Sequence, residues 1–254
     1  MKRIITIAVS SLALLASSGA AQAEHHGEAP QFQPVEMLTC NYNKGKGSKD
    51  LDRLISKFNA WADQNDPAYT AWVLTPNFTS ADITFDVAWL GAWPDFAGLG
   101  AGTDMWPSSG LNGEWEKVLD CDSHAVATVA NIVPAETSTP PESSVIMFQS
   151  CAMAEGATGA DSFAAYKKMS AFMKGKGSKA SAWVFYPGMG TGNSGDGDFD
   201  YYFVRGYPDY KAVAHDMEVI ANGGGYMEGG KIFKGVSSCD HARAYDARLV
   251  RAGS

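Results

Sequence analysis

The chain is short of positive charge. Lys and Arg total 20 against 28 Asp and Glu, a formal charge of −8. Nucleic-acid binding needs cations to neutralise phosphates, and an anionic membrane surface needs the same surplus, so neither partner is expected. Beyond residue 15 no run approaches the ~20 apolar residues of a membrane-spanning helix. The Walker pattern G-x-x-x-x-G-K-[ST] is missing. So are a nucleophile–base–orienter set, a closed zinc ligand set and a nucleotide fingerprint. What remains is ample for a core, with 45% hydrophobic residues.

The first residues read as an address. Lys2 and Arg3 precede the mostly apolar Ile4–Leu15, and Ala21-Gln22-Ala23 fits a small-x-small cleavage site. Residues 1–23 are therefore expected to be a signal peptide. No cysteine near the cut suggests a lipid anchor, so the expectation is an exported protein, periplasmic or extracellular. In that setting four cysteines, Cys40, Cys121, Cys151 and Cys239, read as two disulfides before a metal site. Cleavage after Ala23 would expose Glu24-His25-His26. A free amine, two backbone amides and an imidazole at residue three form a planar nitrogen set suited to Cu(II). Residues 24–34 are polar and read as a flexible lead.

The hexapeptide KGKGSK occurs at Lys44–Lys49 and Lys174–Lys179, but at unlike distances from Cys40 and Cys151. Other features keep step. Ala71-Trp72-Val73 begins 31 residues after Cys40, and Ala182-Trp183-Val184 begins 31 after Cys151. Pro76 and Pro187 both follow at offset 36. FDVAWLGAWPDF (Phe85–Phe96) aligns without a gap to FDYYFVRGYPDY (Phe199–Tyr210). Trp115, Val118 and Cys121 match Phe233, Val236 and Cys239, and a His-Ala pair follows soon after each cysteine. The pattern reads as one module used twice, over residues 35–133 and 145–254, with KGKGSK a solvated basic loop. Residues 134–144, rich in Pro, Ser and Thr, read as the linker.

Each copy reads strand, helix, strand, strand, helix, strand. Met37–Tyr42 is the first strand. Asp50–Asp63 places Leu51, Leu54, Ile55, Phe58 and Trp61 on one helical face, and Phe163, Tyr166, Met169 and Phe172 do so in the second copy. Tyr69–Thr75 and Ile83–Trp93 form a hairpin, with Phe85, Val87, Trp89 and Trp93 on one face. Phe199, Tyr201, Phe203 and Tyr207 continue that face in the second copy. Asp209 caps a helix through Ala221. Ala125–Val133 and Ala242–Val250 are the last strands. This βαββαβ order is the ferredoxin-like module. Its last strand lies antiparallel beside its first, which favours Cys40–Cys121 and Cys151–Cys239 among the three pairings that four cysteines allow.

Two such modules in one chain resemble the dimeric α+β barrel superfamily in fused form. The expected fold is thus α+β, two tandem modules packed as an intramolecular pseudo-dimeric barrel, monomeric or in a small homo-oligomer. The resemblance covers Val35 to about Val250. It implies sheets packed face to face with helices outside. Superfamily members include cofactor-free monooxygenases, isomerases, haem peroxidases and chlorite dismutases. It brings no family-specific catalytic motif with it.

The expected function is to bind a small apolar or aromatic ligand between the two sheets. Trp72, Trp183, Trp93 and Tyr207, near strand ends, are the candidate contacts, with Asp95 and Asp209 as acids that helix capping explains equally. The alternatives are an α+β-barrel oxygenase or isomerase using Tyr207, Asp209, His215 or His241, and a structural scaffold. Because haem members of the superfamily use a helix histidine, His215 is the candidate axial ligand. His124 and His241, just after the cysteines, are a candidate base or ligand pair. The acidic loop at Gly195–Asp200 lacks the glycine and glutamate of a calcium loop and reads as a hairpin turn.

Overall fold

Side-chain alternation along the first strand sets the architecture. In β1 (Phe32–Tyr42), Val35 and Met37 face one way, while Glu36, Leu38 and Cys40 face the other. The computed structural model describes residues 30–65, 68–137, 139–190 and 199–253. The expected signal peptide, the candidate copper motif Glu24-His25-His26 and most of the acidic loop lie outside these residues.

The first half continues with α1 (Ser48–Asn65), β2 (Thr70–Phe78), β3 (Val87–Ala92), α2 (Phe96–Met105), a 3₁₀ turn at Trp106–Ser109, α3 (Asn112–Trp115) and β4 (Leu119–Val133). The second half runs β5 (Ser143–Met153), α4 (Gly159–Gly175), β6 (Ser181–Pro187), β7 (Tyr201–Tyr207), α5 (Tyr210–Ala221), α6 (Gly225–Ile232), β8 (Ser237–Cys239) and β9 (Arg243–Arg251). The strands pair in the order β7-β6-β4-β1-β3-β2-β9-β5, and β5 closes back onto β7. The result is an eight-stranded antiparallel barrel with β8 added to the β5 edge. Within each half the order is last, first, third, second strand. The pairs β2–β9 and β4–β6 join the halves. Closure removes the free edges that either half-sheet alone would expose.

The barrel interior holds Val35, Leu74, Leu90, Val129, Ile146, Phe185 and Val204, with Tyr245 among them. The helices lie outside. Leu51, Leu54, Ile55, Phe58 and Ala62 bury one face of α1 against the first half-sheet. On α4 the buried set is Ser162, Ala165, Tyr166 and Met173, which shifts the expected face. Tyr166 fixes that rotation by stacking on Phe203, with ring centroids 4.0 Å apart. Met169 and Phe172 are half-buried at its margin.

Both expected disulfides are present, and each joins residues directly opposite one another, Cys40 across from Cys121 and Cys151 across from Cys239. Some boundaries differ from expectation. β1 starts at Phe32, so the last residues of the flexible lead are strand. The linker shortens to residues 134–142. Cys239 does not open the last strand but sits in β8. Asp240 ends that strand by accepting from the Ser150 amide and from the Gln149 side chain. Phe85 precedes β3 and turns away from the Trp89 face to stack on Tyr245.

Candidate functional site

Two cavities lie between a half-sheet and its helices, outside the barrel. The first, of about 700 Å³, opens between the outer face of β1, β3 and β4 and the helices α1, α2 and α3. Seven aromatic side chains line it, beside aliphatic residues such as Leu38, Leu99 and Leu119 and polar ones such as Asn112 and Glu116. Phe58 meets Trp89 edge to face at 5.5 Å, Trp61 meets Trp106 at 5.5 Å, and Trp115 meets Trp89 at 5.2 Å. Two glycines make room for this. A β-carbon on Gly102 of α2 would fall 1.9 Å from the Trp93 ring, and one on Gly91 would fall 1.7 Å from the Tyr69 hydroxyl. Both aromatic side chains occupy space that any other residue would fill.

A continuous polar chain runs along this wall. Trp89 Nε1–H donates to the Tyr69 hydroxyl at 2.6 Å, and that hydroxyl donates to Glu36 Oε2 at 2.5 Å. Glu36 Oε1 lies 2.6 Å from His124 Nε2, at the more exposed end. Burial, then the Glu36 charge, holds the Tyr69 pKa well above its usual value, so the phenol stays a donor. The hydrogen bond to Glu36 raises the His124 pKa, with burial opposing. The carboxylate thus orients the imidazole and makes it more basic. Nearby, the buried Trp93 Nε1 has no partner among the described residues.

The second cavity, of about 980 Å³, lies under α4, α5 and α6 on the other half-sheet. Its wall combines Tyr166, Phe203 and Phe233 with Met169, Met173 and Met227, and includes Arg205, Asp216 and His241. Ser178 Oγ donates to Asp216 Oδ2 at 2.7 Å, and Arg205 donates to Gln149 Oε1 at 3.1 Å.

The expected site residues separate. Trp93 lines the first cavity. Trp72 and Trp183 enter the barrel interior and pack in its apolar cluster, so neither lines a cavity outside it. The two cavities lie on the outer faces of the sheets. Tyr207 is buried with Val145, Ala212 and Val213 beneath α5. Asp95 and Asp209 are helix caps, accepting from Gly98 N at 2.7 Å and Ala212 N at 2.8 Å. His215 lies exposed on α5, its Nε2 3.0 Å from the Lys176 carbonyl, and lines neither cavity. Haem needs an axial donor facing its cavity, so these residues do not fit haem held through His215. His124 and His241 line different cavities and do not form a pair. Among the described residues no cluster of three His, Cys, Asp or Glu could hold a metal.

Sequence reasoning missed Glu36, Tyr69, Trp106 and Trp115 as a constellation. One signal was available: Glu36 is a carboxylate on the outward face of β1, in step with Leu38 and Cys40. Its partners come from residues 33 and 88 positions away, and local pattern does not reveal them.

The chain matches no family model and no curated protein. Solved structures do resemble it. A variant of the chlorite dismutase from Candidatus Nitrospira defluvii is 7% identical, with 86% of this chain and 92% of that chain covered and a TM-score of 0.53. The same enzyme in complex with imidazole gives 7%, 86%, 92% and 0.52. At such identity the likeness establishes the fold alone: an antiparallel α+β barrel with its helices outside, as in those structures.

Proposed function

We propose that this protein binds a small, flat, mainly aromatic molecule bearing an acidic hydroxyl, in the tryptophan-lined cavity of its first half. The carrying observation is the polar chain from Trp89 through Tyr69 and Glu36 to His124, set beside the rings of Phe58, Trp61, Trp93, Trp106 and Trp115 in one cavity wall. A mainly apolar cavity with a few convergent polar groups is the usual form of a small-molecule site. With Nε2–H directed to Glu36, the His124 Nδ1 is left to accept the ligand's hydroxyl proton. The unpartnered Trp93 Nε1–H supplies a donor for an oxygen of the ligand.

The test is calorimetric titration with 2-naphthol and with naphthalene, paired with tryptophan fluorescence. 2-Naphthol should bind more tightly, and His124→Gln should remove that preference while leaving naphthalene binding unchanged. Failure of both probes to bind, or binding indifferent to Trp115→Ala, would sink the proposal.

A second reading is an α+β-barrel enzyme of the oxygenase or isomerase kind, with His124 as general base. The hydrogen-bonded Glu36–His124 pair favours it, since a carboxylate-oriented imidazole of raised basicity suits proton abstraction. Product analysis after aerobic incubation with planar phenols separates it from binding alone, because a catalyst converts its ligand. Unchanged conversion by His124→Ala would end this reading. A pure scaffold is disfavoured by an open cavity with an orphaned buried donor.

We further infer that the two halves are copies of one module, bounded near residues 35–133 and 145–254, within an exported chain. Shared offsets of the Ala-Trp-Val and Pro features from Cys40 and Cys151, and a shared element order, support the first inference. The two disulfides support the second.

A further inference from the structure

The two halves differ at one exchanged pair of positions. Across β2 and β3, Ala71 faces Gly91, and the Tyr69 hydroxyl lies over that glycine. Across β6 and β7, Ala182 faces Arg205. Ala180 stands two residues before Ala182, as Tyr69 stands two before Ala71. The large and small residues have changed places. The space taken by a phenol in the first half is therefore open to a guanidinium in the second. Arg205 leans over the rings of Phe203 and Tyr207, at 5.6 and 5.9 Å from their centroids.

Buried polar atoms without partners gather here. Arg205 Nε, Asp216 Oδ1 and Ser237 Oγ all lack one among the described residues, and all three residues line the second cavity. Native proteins leave few such atoms, and each calls for an explanation. Asp216 is 3% exposed; its Oδ2 accepts from Ser178 Oγ, and its Oδ1 has no partner in hydrogen-bond geometry among the described residues. Arg205 and Asp216 both act on the Tyr207 hydroxyl, whose pKa burial pushes up to about 12, so the two charges flank one phenol.

We propose that the second cavity is a binding site for a zwitterionic α-amino acid with a large apolar side chain. Its carboxylate is received by Arg205 and Ser237, and its ammonium by Asp216. A half-buried guanidinium and a buried carboxyl group that line one cavity, each with an unpartnered atom, are best completed by a ligand bearing both opposite charges, because charge-assisted hydrogen bonds are the strong ones. Tyr166, Phe233 and the three methionines supply an adaptable apolar wall for the side chain. This site is independent of the first cavity and of its proposed ligand.

The experiment is calorimetric titration of the full chain with L-phenylalanine, 2-phenylethylamine and 3-phenylpropionate. L-Phenylalanine should bind at least about tenfold more tightly than either half-ligand, since each of these leaves one buried charge unpaired. Asp216→Asn should weaken L-phenylalanine at least about tenfold and leave 3-phenylpropionate unaffected or improved. Equal affinities for the three compounds, or no binding of L-phenylalanine, would overturn the proposal. If Asp216→Asn does not fold, the three-compound series on the unaltered chain decides alone. Excess 2-naphthol should not compete; competition would place the amino acid in the first cavity and refute the assignment.

Discussion

The Tyr69 hydroxyl lies 1.7 Å from where a β-carbon on Gly91 would stand, so the phenol reaches Glu36 because that strand position has no side chain. Gly91→Ala should therefore destabilise the fold by about 1–3 kcal/mol, as overpacking of a filled core does. Urea denaturation measures it. In the background of Tyr69→Ala the same change should cost much less, because the two positions share one space. Equal cost in both backgrounds would contradict the contact.

The Glu36–His124 pair gives stability a pH dependence of definite sign. The His124 pKa is raised in the folded state, so its contribution is complete below the unfolded value, near 6.5, and is lost as pH rises through the folded value. The melting temperature of the unaltered chain should fall relative to that of Glu36→Gln as pH rises from 6 to 8. Parallel curves would show that the pair contributes nothing to the fold.

Asp95 and Asp209 act as caps rather than ligand contacts. Replacing either with Ala should cost about 1 kcal/mol of stability. Asp95→Ala should leave 2-naphthol affinity unchanged. Lost affinity without lost stability would return Asp95 to the site.

Each disulfide closes a long loop, with sequence separations of 81 and 88 residues. Replacing either pair with serines should lower stability by about 2–5 kcal/mol. The losses should be alike for the two pairs, since the two separations differ little. A negligible loss for one pair would show that its half holds its first and last strands together without the bond.

The second KGKGSK shows how little a local motif reveals by itself. Gly177 takes a positive φ of 93° at the end of α4, which only glycine adopts freely. The turn it makes brings the Lys176 carbonyl to His215 and the Ser178 hydroxyl to Asp216. The first copy, which runs into the first turn of α1, instead accommodates Asp50, whose carboxylate accepts from the Gly47 amide at 3.2 Å. One hexapeptide serves two unrelated local tasks because its neighbours in space differ.

Element order, the cysteine pairing, the caps at Asp95 and Asp209 and the apolar face of α1 were legible in the sequence. Each rests on short-range periodicity or on offsets along the chain, which the backbone's two regular spacings translate directly into structure. The identity of the cavities was not legible. Alternation along β2 and β6 says that Trp72 and Trp183 share a face, but not that the face is the barrel interior. That assignment depended on β2 pairing with β9 and β4 with β6, contacts between distant residues that close the barrel and leave the helical sides open. The Glu36–Tyr69–Trp89 chain and the placing of Arg205 and Asp216 in one cavity wall arose in the same way, from strands and helices far apart in sequence. Only tertiary packing brings such groups within hydrogen-bonding distance, or leaves their buried valences unfilled.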